Sequence, residues 1–262
     1  MDRMKNNPEM KKLGAVMAPF HSVAVAYSGG VDSTLLVHLL QRVLGVRVRA
    51  CLARTPFLHA REEKAARALA QRLGFDLTVV DVDLWALPAV KANPRDRCYH
   101  CKKAILGSLR SASGPVDAFL DGSHAGDLKE ERPGRRALEE RGVISPFAQA
   151  GWTKAHIRET ARKLGLPNWD KPSQSCLATR VPHGTPLDPG ILARIERAEE
   201  TLWDLGCRQV RVRWHGGAAR IQAAPQDLIL LTGREMKTEV PEEFARLGFS
   251  GVSVDPIPYE SP

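Results

Sequence analysis

Apolar residues along the first two thirds of the chain follow two alternating periods. A short apolar run at 22–27 is followed by leucines at helical spacing between Leu35 and Leu44. The same alternation recurs and predicts strands at 46–52, 77–82 and 116–120 and helices at 62–73 and 102–109. Strands that alternate with helices indicate a parallel sheet covered on both faces. We therefore expect a Rossmann-like α/β fold.

The pattern changes beyond the next predicted helix, 154–164, which ends before Gly165. Five prolines from Pro167 to Pro189 predict a functional loop. A helix at 191–205 then precedes a hairpin formed by 209–215 and 218–223. We predict a main domain of residues 1–184 and a smaller α+β domain of residues 185–262.

Composition narrows the class of protein but not its partner. The chain has 262 residues, 43% of them hydrophobic, which excludes a disordered or collagen-like chain. No apolar run reaches the roughly 18 residues that a membrane helix needs, and the first twelve residues mix both charge signs, unlike a secretory signal. We expect a cytoplasmic protein. Its net charge of +8 fits a nucleic acid, an anionic small molecule or a solvated basic surface.

The strongest local signal is the glycine turn, Ser28-Gly29-Gly30-Val31-Asp32-Ser33, between a predicted strand and a predicted helix. Glycines let the backbone approach an anion, and the helix N-terminus supplies N–H donors beside two serine hydroxyls. The turn matches neither the Walker pattern nor GxGxxG. It predicts a phosphate site, with a plain serine-glycine turn as the alternative.

The glycine turn resembles the PP-loop of ATP pyrophosphatases. That resemblance implies that Ser28, Gly29, Gly30 and Ser33 bind ATP and that a substrate atom attacks the α-phosphorus. Asp32 is then expected to orient Mg²⁺ or Ser33. Asp121 follows the predicted strand 116–120, at the edge where open α/β sheets bind ligands. We expect it to be a secondary nucleotide or metal contact, and a plain turn is the alternative.

The five cysteines are an odd number, and only Cys98 and Cys101 lie close together, so we do not expect a secreted disulfide framework. Cys176 lies in the proline-rich loop. A structural zinc site usually needs four ligands, and the sequence suggests no fourth one. Zinc or inert thiols stay as alternatives. Cys51 and Cys207 are predicted to be core residues.

A set of motifs in order along most of the chain resembles the LarE family of ATP-dependent sulfur transferases. The motifs are the glycine turn, Arg97–Lys102, Arg132–Gly134, Asn168–Pro172 with the stretch to Arg180, Pro182–Thr185 and Arg211–His215. The resemblance implies that residues 1–184 form a PP-loop ATP pyrophosphatase domain. It also implies that residues 185–262 form a smaller domain for substrate binding or oligomerisation.

The family resemblance also implies a reaction. ATP activates a carboxylate of a pyridinium dicarboxylate mononucleotide, and a protein-borne sulfur replaces an oxygen to give a thiocarboxylate for the nickel-pincer nucleotide cofactor. Cys98, Cys101 and Cys176 resemble the three ligands of a [4Fe-4S] cluster with one iron free to bind sulfide. The alternative is that Cys176 gives up its own sulfur and becomes dehydroalanine. Members often self-associate, so a homo-oligomer is expected.

The predicted strand 209–215 is one-sided in charge, because four arginines and no acid lie between Asp204 and Asp227. Alternation places Arg211, Arg213 and His215 on one face. Guanidinium groups there could bind phosphate or carboxylate, or could simply be solvated. The family resemblance favours binding of the substrate phosphate by Arg211 and Arg213.

Three further residues near that strand are candidates for binding substrate or metal. Arg180, at the end of the Cys176 stretch, is a further candidate for binding the substrate. Glu199 and Glu200, on the preceding predicted helix, could bind a metal, but we expect them on an exposed helix face.

Three other functions stay open at this point. A tRNA thiolase would use the same chemistry, but aromatic residues make up only 6% and no stacking platform is evident, so we predict no nucleic-acid partner and no membrane partner. A PP-loop amide synthetase would leave the cysteines without a role. A nucleotide-binding regulator would release no pyrophosphate.

Overall fold

The computed structural model describes residues 7–127, 133–231, 233 and 238–259. The chain forms two compact units, Met1–Ala86 with Asp96–Lys171 and Leu87–Arg95 with Pro172–Pro262. The change of unit after Lys171 lies earlier in the chain than the domain boundary predicted after residue 184. It stays a prediction that residues 1–184 form the ATP pyrophosphatase domain and that residues 185–262 bind the substrate or mediate oligomerisation.

The first unit alternates strands and helices as predicted. Its described strands are β1 (Ser22–Ala26), β2 (Arg47–Arg54), β3 (Asp76–Asp81) and β4 (Ala118–Leu120). Its described helices are α1 (Pro8–Met17), α2 (Val31–Arg42), α3 (Ala60–Leu73), α5 (Arg97–Ala112), α6 (Pro133–Glu140), α7 (Pro146–Gln149) and α8 (Lys154–Lys163). All four strands are parallel, in the order β3-β2-β1-β4. The predicted α/β class with a parallel sheet is confirmed.

Side chains of β1 point alternately to two apolar cores, which explains why the sheet carries helices on both faces. Val23 and Val25 pack in one core with residues of α1, α2 and α8. Ala24 belongs to the other core, with residues of α5 and α6. Because both faces are covered, the sheet's carboxyl edge is the place where polar side chains can gather around a ligand.

The second unit contains a small mixed sheet. Its described elements are α4 (Pro88–Lys91), a 3₁₀ turn (Leu177–Arg180), α9 (Pro189–Asp204), β5 (Val210–His215), β6 (Ala218–Ala223), α10 (Pro225–Leu230), α11 (Glu239–Arg246) and β7 (Val252–Val254). β5 and β6 pair antiparallel, which confirms the predicted hairpin, and β7 adds to β6 in parallel.

The segment 87–95 belongs to the second unit because of Asn93. This residue is fully buried, has a φ of 55°, and its amide donates to the carbonyls of Pro182 and Thr185, each at 2.9 Å. The main chain adds bonds from Gly184 N to Asn93 O at 2.9 Å and from Leu187 N to Lys91 O at 2.8 Å. No sequence pattern signals this pairing of distant segments.

Among the described residues, no helix is long and apolar enough to span a membrane.

Candidate functional site

The glycine turn joins the end of β1 to the start of α2. Gly29 adopts a φ of 73°, and Gly30 is the helix N-cap without any side-chain cap. The first N–H groups of α2 are therefore available to an anion. The Ser28 and Ser33 hydroxyl oxygens lie 3.2 Å apart, and Ser33 Oγ also accepts from the Ser28 N–H at 3.2 Å. Two hydroxyls and a helix N-terminus thus converge, as expected of a phosphate site.

Close packing against α3 fixes the path of the turn. A Cβ atom at Gly29 would lie 2.6 Å from the Ala66 Cβ and 2.9 Å from its Cα, distances at which backbone atoms would have to move. The buried Tyr27 hydroxyl donates to the Ala66 carbonyl at 3.1 Å. Burial raises the pKa of Tyr27 to about 12, so this hydroxyl stays a donor at neutral pH. Glycine at 29 is therefore required by space as well as by φ.

Two other segments of the same unit hold the turn from outside α3. A Cβ atom at Gly122 would lie 2.9 Å from the Ser33 N, so the loop after β4 lies directly against the first turn of α2. The buried Asn168 amide donates to the Gly29 carbonyl and to Thr34 Oγ1, each at 3.1 Å. The turn is thus held in one conformation before any ligand binds.

Asp32 was expected to orient Mg²⁺ or Ser33, and the structure gives it a different partner. Lys154, the first residue of α8, places Nζ 2.6 Å and 2.7 Å from the two Asp32 carboxylate oxygens. Both side chains keep about a third of their surface exposed, at 32% for Lys154 and 27% for Asp32. The pair therefore adds, beside the glycine turn, a cation that the sequence patterns did not reveal.

Asp121 follows β4 and is almost fully buried. Its carboxylate accepts from the Ser123 hydroxyl at 2.5 Å, the Ser145 hydroxyl at 2.6 Å and the Ser123 N–H at 3.2 Å. These hydrogen bonds fix the loop that carries Gly122. Its predicted contact with nucleotide or metal stays a prediction.

Cys98 and Cys101 lie inside α5. The sequence had predicted a helix only over 102–109, with both cysteines before it. The helix begins at Arg97, and a spacing of three residues puts both thiols on one face. Cys98 is exposed and Cys101 is partly exposed. Between them, the Tyr99 hydroxyl donates to the Glu140 carboxylate at 2.8 Å, which ties this turn of α5 to α6.

The region around Tyr99 is a network of charges on the surface. Lys103 Nζ lies 2.8 Å from Glu140, and the Arg136 guanidinium lies 3.6 Å from the Tyr99 ring centroid. Arg136 also pairs with Glu140 at 3.4 Å. Arg132 lies outside the described residues. This network fixes the helix turn that carries the two thiols.

Cys176 belongs to the second unit, where it is exposed and directly precedes the 3₁₀ turn. Arg180 holds its loop: Nη1 donates to the Ser175 carbonyl at 2.8 Å and to the Cys176 carbonyl at 3.2 Å. The same guanidinium makes a two-point ion pair with Glu199, at 2.8 and 2.9 Å. A role of Arg180 in binding the substrate stays a prediction, and the structure adds a role in positioning Cys176.

Glu199 was expected on an exposed face, and this expectation is wrong. Its side chain is fully buried and accepts from Arg180 and from the Val212 N–H at 2.8 Å. A buried carboxylate is stable when paired and hydrogen-bonded in this way. The spacing Leu192, Ile195, Glu199, Leu202 matches the buried face of α9 and was the signal that could have revealed it.

Arg211 and Arg213 lie on β5, and Arg211 is only 8% exposed. A fully solvated face is therefore wrong for Arg211. Burial and the nearby Arg180 and Arg213 lower the pKa of Arg211, to about 10, although it stays protonated at neutral pH. Burial likewise lowers the pKa of Arg213. Several guanidiniums around one carboxylate, Glu199, leave a local excess of positive charge that suits an anion.

Comparison with known proteins gives the family. An uncharacterized protein of Synechocystis sp. is 38% identical over 239 residues, 90% of this chain and 89% of that protein. The pyridinium-3,5-bisthiocarboxylic acid mononucleotide synthase of Lactiplantibacillus plantarum is 33% identical over 249 residues, 93% of this chain and 88% of that protein. The chain belongs to the LarE family. No family model matches it.

A shorter match connects this LarE-family chain to other synthases. A glutamine-hydrolyzing GMP synthase of Emericella nidulans is 34% identical over 137 residues, 47% of this chain and 25% of that protein. Together these relatives support an ATP-dependent enzyme of the PP-loop type.

Packing at Gly29 can be separated from backbone strain by two glycine substitutions. Gly29→Ala adds a Cβ both at positive φ and against Ala66, whereas Gly45→Ala adds one at a φ of 71° with nothing within 4 Å. We expect Gly29→Ala to weaken binding of ATP at least tenfold and Gly45→Ala to leave it unchanged. Gly45→Ala should cost about 1 kcal/mol of stability through its positive φ alone, and Gly29→Ala should cost more because its Cβ also meets Ala66. Titration calorimetry with a non-hydrolysable ATP analogue measures this. Equal affinities for the two variants would contradict the packing argument.

The five thiols should differ sharply in reactivity in protein prepared without iron. Burial raises the pKa of both Cys51 and Cys207 to about 11, so roughly one in a thousand of these thiols is ionised at pH 8. We expect iodoacetamide to modify Cys98 and Cys176 in the folded protein and to modify Cys51 and Cys207 only after unfolding in urea. Peptide mass spectrometry follows each site. Fast labelling of Cys51 in folded protein would contradict the assignment.

Proposed function

We propose that the chain converts a pyridinium dicarboxylate mononucleotide to its thiocarboxylate by ATP-dependent sulfur transfer, as a step toward a nickel-pincer nucleotide cofactor. The observation that carries this proposal is the 33% identity, over nearly the whole of both chains, to a synthase of pyridinium-3,5-bisthiocarboxylic acid mononucleotide. A phosphate-binding turn and three exposed or partly exposed thiols in the same chain support it.

The first step is activation of a carboxylate. One substrate carboxylate oxygen bonds to the α-phosphorus of ATP, the bond to the β-phosphate oxygen breaks, and pyrophosphate leaves. The product is an acyl adenylate. Ser28, Ser33 and the first N–H groups of α2 would bind the departing pyrophosphate, because they are the donors that converge at the turn. Mg²⁺ would shield the phosphate charges. To hold it, Asp32 would share its carboxylate with Lys154, and Asp121 would share its carboxylate with the Ser123 and Ser145 hydroxyls.

Lys154 adds a cation to this step. Negative charge grows on the bridging oxygen as pyrophosphate leaves, and a fixed ammonium beside the turn stabilises that charge. The ion pair with Asp32 holds the ammonium in place, at 2.6 Å. We assign Lys154 to binding of the phosphates during adenylation.

The second step replaces AMP with sulfur. A sulfide attacks the acyl carbon, the bond from carbon to the phosphate oxygen breaks, and AMP leaves with that oxygen. Cys98, Cys101 and Cys176 fit a [4Fe-4S] cluster because all three are accessible and all are soft thiolate donors. The cluster, when bound, would supply sulfide at the iron that lacks a protein ligand.

Sacrifice of Cys176 is the competing sulfur source. Its thiolate would attack the acyl carbon and release AMP, and loss of the Cys176 Cα proton would then break its Cβ–Sγ bond. The products are the thiocarboxylate and dehydroalanine. This route allows one turnover per chain, whereas a cluster that rebinds sulfide allows many.

Arg211 and Arg213 are the residues we assign to the phosphate of the mononucleotide. Arg211 is buried and Arg213 is partly buried, in a region with a local excess of positive charge, and a planar guanidinium suits phosphate. Three expectations accompany this proposal. The ligand is a small nucleotide rather than a nucleic acid, the chain forms a homo-oligomer, and the protein is cytoplasmic.

The proposed function is tested with anaerobically purified protein reconstituted with iron and sulfide. We expect pyrophosphate release that depends on pyridinium-3,5-dicarboxylic acid mononucleotide, and a product mass that shows exchange of oxygen for sulfur. Cys176→Ala should release pyrophosphate but transfer no sulfur, while Cys207→Ala keeps both activities. Absence of substrate-dependent pyrophosphate release would contradict the proposal, and an amide formed with ammonium would point to an amide synthetase.

The same assay separates the two sulfur sources. A cluster predicts several turnovers per chain, iron bound to the wild-type protein and loss of transfer in Cys98→Ala. Sacrifice predicts one turnover, dehydroalanine at position 176 and full transfer in Cys98→Ala.

Lys154→Gln tests the adenylation step alone. Loss of the ammonium should slow pyrophosphate release by about a hundredfold, the usual effect of removing one electrostatic group from such a site. Lys163→Gln is the matched control, because Lys163 lies on the same helix but pairs with Glu159 at 2.7 Å. Equal rates for Lys154→Gln and Lys163→Gln would contradict the assignment.

A further inference from the structure

The segment after β7 continues along β6 in the same direction and brings Tyr259 beside Arg211 of β5. Asp255 N donates to the Ile221 carbonyl at 2.8 Å, and Tyr259 N donates to the Ala223 carbonyl at 2.7 Å. The Asp255 carboxylate pairs with Arg220 at 3.0 Å and accepts from Gln222 at 3.3 Å. These contacts fix the segment, which we call the 255–259 strap, so the position of Tyr259 is set by the fold.

The Tyr259 ring covers the guanidinium of Arg211, with 4.0 Å between the guanidinium carbon and the ring centroid. Arg211 is more than nine-tenths buried, yet within the described part of the chain its guanidinium makes no hydrogen bond or ion pair. Its five N–H donors therefore have no acceptor among the described residues, and a bound anion can supply one.

The Tyr259 hydroxyl shows the same deficit independently. Its oxygen is buried and has no hydrogen-bond partner among the described residues. The Tyr259 ring lies over the Arg211 guanidinium, and a guanidinium has no acceptor atom for the hydrogen bond of the hydroxyl. An anion bound beside Arg211 would accept hydrogen bonds from both side chains.

Arg213 differs from Arg211 because other residues of the chain hold its guanidinium in place. Its Nε donates to Gln222 Oε1 at 2.8 Å, and its Nη1 donates to the Thr179 carbonyl. Gln222 in turn donates to Asp255 of the strap. Arg213 is thus held by the chain, whereas Arg211 and Tyr259 keep their donors for a ligand.

We propose that Tyr259 is a binding residue for the phosphate monoester of the mononucleotide substrate, with its hydroxyl donating to a phosphate oxygen while its ring holds the Arg211 guanidinium in place. This inference rests on the proposed function and adds a residue from the 255–259 strap to the substrate site. A tetrahedral phosphate has enough acceptor oxygens for a phenol and a guanidinium together. A riboside without the phosphate would gain nothing from Tyr259.

The test is equilibrium binding of nicotinic acid mononucleotide and of its riboside, measured by titration calorimetry on the full chain. We expect wild-type protein to bind the mononucleotide much more tightly than the riboside. Tyr259→Phe keeps the ring and removes the donor, so it should weaken binding of the mononucleotide roughly tenfold and leave riboside binding unchanged. Tyr259→Leu, which also removes the ring over Arg211, should lose more.

Ile257→Ala is the matched control, because Ile257 lies on the same strap with its side chain 71% exposed. It should bind both ligands as the wild type does. Melting temperatures of all variants show whether a loss comes from unfolding. Tyr259→Phe with wild-type affinity for the mononucleotide would overturn the proposal, as would equal wild-type affinity for mononucleotide and riboside.

The sulfur-transfer assay distinguishes failure of this inference from failure of the proposed function. Phosphate-dependent binding through Tyr259 without thiocarboxylate formation would retain the site and reject the reaction. Thiocarboxylate formation with an unchanged KM in Tyr259→Phe would retain the reaction and reject the role of Tyr259. If both hold, Tyr259→Phe should raise KM and leave kcat nearly unchanged, because the phosphate is remote from the reacting carboxylate.

Discussion

The site in the first unit depends on backbones that approach one another more closely than side chains would permit. Gly29 lies against Ala66, and Gly122 lies against Ser33. Each contact excludes even a methyl group, so the strand, helix and loop that meet there have one way to fit together. A phosphate site built this way is organised in advance, because little chain entropy remains to be lost when the anion binds.

Local sequence patterns were enough to predict the strands and helices of the first unit. The strand, glycine turn and helix adjoin in sequence, and the two cores on either side of β1 follow from simple alternation. Lys154 and Asn168 could not be found this way. They reach the turn from 122 and 134 residues away, and nothing in their own neighbourhoods distinguishes them from surface or loop residues.

The second unit was harder to predict because its polar residues are buried. Glu199 has the charge of a surface residue but the spacing of a core residue, and only the spacing was informative. The Arg211 guanidinium is covered by Tyr259, which lies 48 positions further along the chain. No periodic pattern in the sequence relates a strand to the later 255–259 strap. Buried charges of this kind are costly unless paired, which is why their partners lie on distant segments that the fold brings together.

The helical setting of Cys98 and Cys101 makes the length of their motif as constrained as its composition. Each residue in a helix turns the chain by about 100°, and these two thiols share a face because two residues separate them. Deleting one of those two residues would leave both cysteines present on nearly opposite faces of the helix. The helix therefore sets the angle between the two thiols, and a loop with the same residues would not impose that angle.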